Sequence, residues 1–149
     1  MKKLITKIVN LYRKQEEIIN YLIIGGLSTV ISLGVKYGLL FTILDAKDPL
    51  QLQISVAISW LVAVIFAYIT NRKFVFKSKN SNIKKEMTKF FGARIVTLIM
   101  EAGLMWFFVT LLKLDSNIEV VIWTIVTQVL VIVGNYFFSK LFVFKENND

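Results

Sequence analysis

Four apolar runs, at about residues 20–44, 50–71, 90–112 and 119–139, set the limits on what this chain can fold into. Each is long enough to cross about 30 Å of hydrocarbon at roughly 1.5 Å per helical residue. Buried core helices of a soluble protein would carry a polar stripe, and the second and fourth runs carry almost none. Composition agrees: 56% of the 149 residues are hydrophobic, and Pro49 is the only proline. The first run starts near residue 20 and lacks a small-residue cleavage site, so it reads as a span and not as a removed signal. The expectation is an all-α integral membrane protein, one four-span domain over residues 1–149.

Charge orients those spans. Lys2, Lys3, Lys7, Arg13 and Lys14 precede the first run, Arg72 to Lys89 fill the stretch between the second and third, and Lys140 and Lys145 follow the fourth. The two opposite connections carry only Lys47 and Lys113, beside Asp45, Asp48, Asp115 and Glu119. The positive-inside rule then predicts a multi-pass protein of the cell membrane with both termini cytoplasmic. The formal net charge of +8 is mostly this topology signal, and it also favours anionic membrane lipids over nucleic acid. Residues 1–19 mix Leu4, Ile5, Ile8, Val9 and Tyr12 with Lys and Arg at roughly helical spacing, which predicts an amphipathic helix on the inner leaflet.

The chain also repeats itself. Tyr68 to Lys77 returns in degenerate form as Tyr136 to Lys145, 68 positions later, with Phe-Val-Phe-Lys closing both copies. Each copy ends an apolar run with aromatic rings and cations, as expected where a span meets water. Two tandem helical hairpins follow from that pattern. All seven glycines fall inside predicted spans, where small residues let backbones approach. Gly34-x-x-x-Gly38 and Ala63-x-x-x-Ala67 have that spacing; packing within one chain is favoured, and a homo-oligomer stays open.

Polar side chains inside the spans point to function, because hydrocarbon makes them costly. Arg94 lies about one turn into the third run, and Glu101 two turns further on the same face. Lys36 sits in the outer half of the first run, where it either pairs with Glu101 or snorkels outward. Asn71 and Asn135 close the second and fourth runs, beside Arg72 and Lys140 at equivalent ends of the two halves, and Gln128 and Ser139 add polarity to the last run. With neither Cys nor His, no thiol nucleophile or imidazole ligand exists, and no cofactor or metal is expected.

Several of these residues form an ordered set: Gly25-Gly26, Ala67-Tyr68-x-x-Asn71-Arg72-x-Phe74-Val75-Phe76, Phe90-Phe91-x-x-Arg94, and Asn135-x-x-x-Ser139-Lys140-x-Phe142-x-Phe144. In order and spacing the set resembles the GtrA-like family over nearly the whole chain after residue 18, closest to its teichoic-acid glycosylation members. The resemblance implies movement of a polyprenyl-phosphate-linked sugar across the cytoplasmic membrane for an outward-facing glycosyltransferase that decorates a surface polymer. Family members tend to carry a basic residue early in the last span, and Trp123-Thr124-Ile125 has none. For such a cargo, Arg94, Arg72 and Lys140 suit the phosphate. Asn71 and Asn135 suit sugar hydroxyls or the phosphate, while Glu101 holds Lys36 or contacts the sugar.

Three rival readings compete. A glycosyltransferase would need a cytoplasmic acidic metal site; the paired acids Asp45 and Asp48 fall on the opposite side, so no catalytic residue is assigned. A small drug/proton antiporter also has four spans and an intramembrane Glu, but it tends to weak charge bias. An accessory subunit of a membrane glycosyltransferase stays open.

Overall fold

The structure, a computed structural model, describes residues 2–114 and 116–145, with side chains from residue 15 onward. Four of its helices are long and apolar enough to cross a membrane: Gln15–Thr42, Pro49–Val75, Ile83–Leu111 and Asn117–Val143. They divide between two compact units, Met1–Ser78 and Lys79–Asp149.

The first unit is a hairpin of α1 (Lys2–Thr42) and α2 (Pro49–Thr70), closed by a π-helical turn, π1 (Asn71–Val75). Helical φ/ψ fails in α1 only at Gln15 (φ −120°, ψ 17°), which separates the basic lead-in from the span. The expected amphipathic character of residues 1–19 rests mostly on side chains outside those described. Asp48 caps α2, its Oδ1 accepting the N–H groups of Leu50 (2.8 Å) and Gln51 (3.3 Å), with Pro49 at the tolerant first position. These bonds, led by that from the Gln51 backbone, hold the Asp48 carboxyl below its usual range.

The second unit repeats the plan with α3 (Ile83–Met105), π2 (Trp106–Leu111), α4 (Asn117–Phe138) and π3 (Ser139–Val143). Ser116 and Glu119 form a reciprocal capping box at the start of α4. They occupy the repeat positions of Asp48 and Gln51, so the internal repeat extends to the turns.

The repeat also sets the packing. In α2 and π1 the buried stripe is Ser55, Ser59, Ala63, Ala67, Asn71 and Val75; its counterpart in α4 and π3 is Thr127, Val131, Asn135, Ser139 and Val143. A strict spacing of four overshoots an α-turn of about 3.6 residues. The i→i+5 bonds of π1 and π3, such as Phe76 N–H to the Asn71 carbonyl (2.9 Å), supply the extra residue that keeps Val75 and Val143 buried. Each hairpin is then latched by aromatic rings: Tyr21 against Phe76 (centroids 6.3 Å) and Phe90 against Phe144 (5.9 Å).

The small-residue expectation splits. Ala63 and Ala67 are buried as a close-packing face requires. A Cβ on Gly34 or Gly38 would meet nothing within 4 Å, so that pair packs against no neighbour. Gly134 alone, among the glycines, sits where an added Cβ would touch side chains, Met100 and Thr97 of α3.

Candidate functional site

In the second unit, α3 and α4 face each other with polar groups on two successive levels. Arg94 stands half-buried on α3, its guanidinium 4.8 Å from the Phe90 ring centroid one turn earlier. That ring holds the cation by its π-face, and a guanidinium is the side chain best suited to bidentate contact with an anion. Because α3 begins at Ile83, Arg94 lies about three turns into the helix, not one, although residues 83–89 are mostly polar.

Thr97, 2% exposed, donates its hydroxyl to Asn135 Oδ1 on α4 at 2.8 Å. The same hydroxyl lies 3.2 Å from the Ala93 carbonyl and 3.1 Å from that of Arg94. Thr97 therefore ties the Asn135 amide to the helical turn that carries the arginine. On the next level, the Gln128 amide of α4 donates to the half-buried Glu101 carboxylate of α3. Each level pairs one α3 side chain with one α4 amide.

The remaining candidates are placed differently. Lys140 is exposed, its Nζ 3.2 Å from the Tyr136 hydroxyl and 5.5 Å from the ring centroid. It stands at the end of the hairpin, where the basic anchor was expected. In the first unit, Arg72 is half-buried in π1, and Lys36 lies 5.8 Å from the Tyr37 ring centroid. Asn71 is 1% exposed, and its Oδ1 has no hydrogen-bond partner among the described residues. A buried acceptor left in that condition costs about 1–3 kcal/mol.

One expectation needs revision. Asn71 and Asn135 are not equivalent: Asn71 opens π1 as Ser139 opens π3, and the counterpart of Asn135 is Ala67. The two amides therefore do different work: the oxygen of one accepts from threonine, and that of the other has no partner among the described residues. Glu101 has a partner inside its own hairpin, the amide of Gln128.

Sequence reasoning passed over Thr97, the residue that joins the two helices at the Arg94 level. The signal was present, since Arg94, Thr97 and Glu101 follow at i, i+3 and i+7 on one helical face. It also passed over Glu86, which is 1% exposed in the first turn of α3, where a carboxylate favours the helix dipole.

Residues 20–144 match the family described as GtrA/DPMS, transmembrane domain. The chain belongs to that family. Among curated proteins, this GtrA-type chain is 35% identical over 131 residues to the cell wall teichoic acid glycosylation protein GtcA of Listeria monocytogenes serovar 1/2a, covering 86% of this chain and 84% of the relative. A GtcA from Listeria monocytogenes is 34% identical over 148 residues, 97% of this chain and 96% of the relative. The uncharacterized membrane protein YwcD of Bacillus subtilis is 29% identical over 132 residues, 87% and 97% of the two chains. No solved structure matches the chain. The expected fold class, a multi-pass membrane protein of four helices, and the expected family both hold.

Proposed function

We propose that this GtrA-type protein carries a polyprenyl-phosphate-linked sugar across the cytoplasmic membrane, where a glycosyltransferase transfers the sugar to a cell-wall polymer. The observation that carries this reading is the pair of polar levels between α3 and α4: Arg94 with Thr97–Asn135, then Glu101–Gln128. Phosphate and sugar hydroxyls are the parts of such a lipid that hydrocarbon rejects, while its prenyl tail is at home there. A cation followed by amides and a carboxylate matches that head in the order phosphate, then sugar. The role is to bind and shelter, with no bond made or broken, so the protein acts as a carrier and not as an enzyme. Asn71 and Arg72 of the first unit offer the same chemistry, and Asn71 Oδ1 needs a donor such as a sugar hydroxyl. The teichoic-acid glycosylation named for the Listeria relatives supports the destination of the sugar.

Liposomes holding the purified chain and a citronellyl-phosphate glucose test the reading. An impermeant sugar-oxidising reagent outside should consume the inner-leaflet pool at least about tenfold faster than in protein-free vesicles, equivalent to lowering the crossing barrier by about 1.4 kcal/mol. Equal rates would defeat it.

Orientation is tested separately, and the lack of native cysteine makes the test clean. An impermeant maleimide should label Ala46→Cys in intact cells and Lys79→Cys only after permeabilisation. The reverse pattern would turn the protein over.

A further inference from the structure

The corner that joins α1 to α2 is hollow. An open cavity of about 570 Å³ lies there, lined by Tyr37, Phe41, Thr42, Asp45, Lys47 and Gln51 among others. Small-molecule sites run from about 300 to 1,000 Å³, with aromatic walls and a few placed polar groups.

Both kinds of wall are present. Tyr37 and Phe41, one turn apart at the end of α1, stack with centroids 6.0 Å apart and planes 23° apart. Phe41 is 83% exposed, so its outer face is open to a ligand. The polar rim is held in shape by its own hydrogen bonds. Asp45 N–H donates to Gln51 Oε1 (2.7 Å), Gln51 Nε2 donates to Asp48 Oδ2 (3.0 Å), and Lys47 N–H donates to Asp45 Oδ1 (2.9 Å). The Lys47 side chain is exposed on this rim.

An interfacial belt would also use Tyr, Phe and Lys, but a belt needs only rings turned to lipid and does not need a rim braced around a cavity.

We propose that this corner is a second binding site, for a sugar carrying a phosphate. The Tyr37–Phe41 pair takes the apolar face of the sugar ring, and the Lys47 ammonium meets the phosphate as a point charge. The corner lies at the far end of the first hairpin from Arg72, Lys73 and Lys77. On the proposed orientation it therefore holds the sugar head after it has reached the outer face. The identity of the ligand rests on the carrier reading above.

The test measures binding to the full chain in detergent by calorimetry, in an Arg94→Ala background that silences the first site. Phe41→Ala and Lys47→Ala change exposed side chains, and unaltered thermal unfolding checks that both fold. Three probes separate the sources: citronellyl-phosphate glucose, citronellyl phosphate, and glucose 1-phosphate. Phe41→Ala is expected to weaken citronellyl-phosphate glucose about fivefold and to leave citronellyl phosphate unchanged. Lys47→Ala should weaken both lipids. Sugar-lipid affinity unchanged by Phe41→Ala overturns the proposal. So does citronellyl phosphate binding as tightly as the sugar lipid, which would reduce the corner to a headgroup contact. Glucose 1-phosphate binding more tightly than either lipid would assign the corner to a soluble ligand and overturn the exit role. Phe41-dependent binding without liposome transport would defeat the carrier reading alone; transport with Phe41-independent binding would defeat the corner site alone.

Discussion

Replacing Arg94 by alanine should slow exposure of the sugar head in reconstituted liposomes by about 10- to 100-fold. The magnitude follows from losing a charge-assisted contact to a phosphate away from bulk water, worth about 1.5–3 kcal/mol. Arg94→Lys should recover part of the rate, because it restores the charge but not the planar fork. Folding is a separate matter. Arg94 packs over Phe90, and losing that contact costs only about 0.5–1 kcal/mol at a half-exposed position, so the alanine variant should still unfold cooperatively. Wild-type exposure rates in Arg94→Ala would remove this residue from the site and with it the level on which the carrier reading depends.

Thr97 and Asn135 form a pair whose members should fail differently. Thr97→Val keeps the shape and removes the hydroxyl that Asn135 Oδ1 accepts. A buried acceptor left without its donor costs about 1–3 kcal/mol, so the thermal midpoint should fall visibly. Adding Asn135→Leu removes the stranded acceptor, because replacing both partners of a buried hydrogen bond by apolar groups is close to neutral. The double variant should therefore regain most of the stability. It should not regain transport, since the amide meant for the cargo is gone. A double variant as unstable as the single would show that the hydroxyl matters for packing alone. A double variant that transports normally would relieve Asn135 of its role.

Much of this architecture follows from residue pattern with no coordinates needed. Four apolar runs in hydrocarbon can satisfy their backbones as helices, and the duplicated Phe-Val-Phe-Lys marks where each hairpin closes. The set around Asn71, Arg94 and Ser139 was enough to point to the family that residues 20–144 match. Arg94 was legible as a candidate because an arginine inside a span is rare enough to be noticed by itself.

Partner choice was not legible. Charge suggests only a lysine for Glu101, and the amide of Gln128 is a partner that only the facing of α3 and α4 reveals. Asn71 and Asn135 look like equivalents by type and by their place near a hairpin end, yet the matching starts of π1 and π3 pair Asn71 with Ser139 and leave Asn135 opposite Ala67. The hollow corner depends on how the connection after α1 folds back beside α2, which no residue pattern states. Hydropathy and charge act along the chain and can be read along it. Hydrogen-bond partners, the cavity, and the unpartnered oxygen of Asn71 depend on which helix faces show to each other, and that is settled only when the hairpins close.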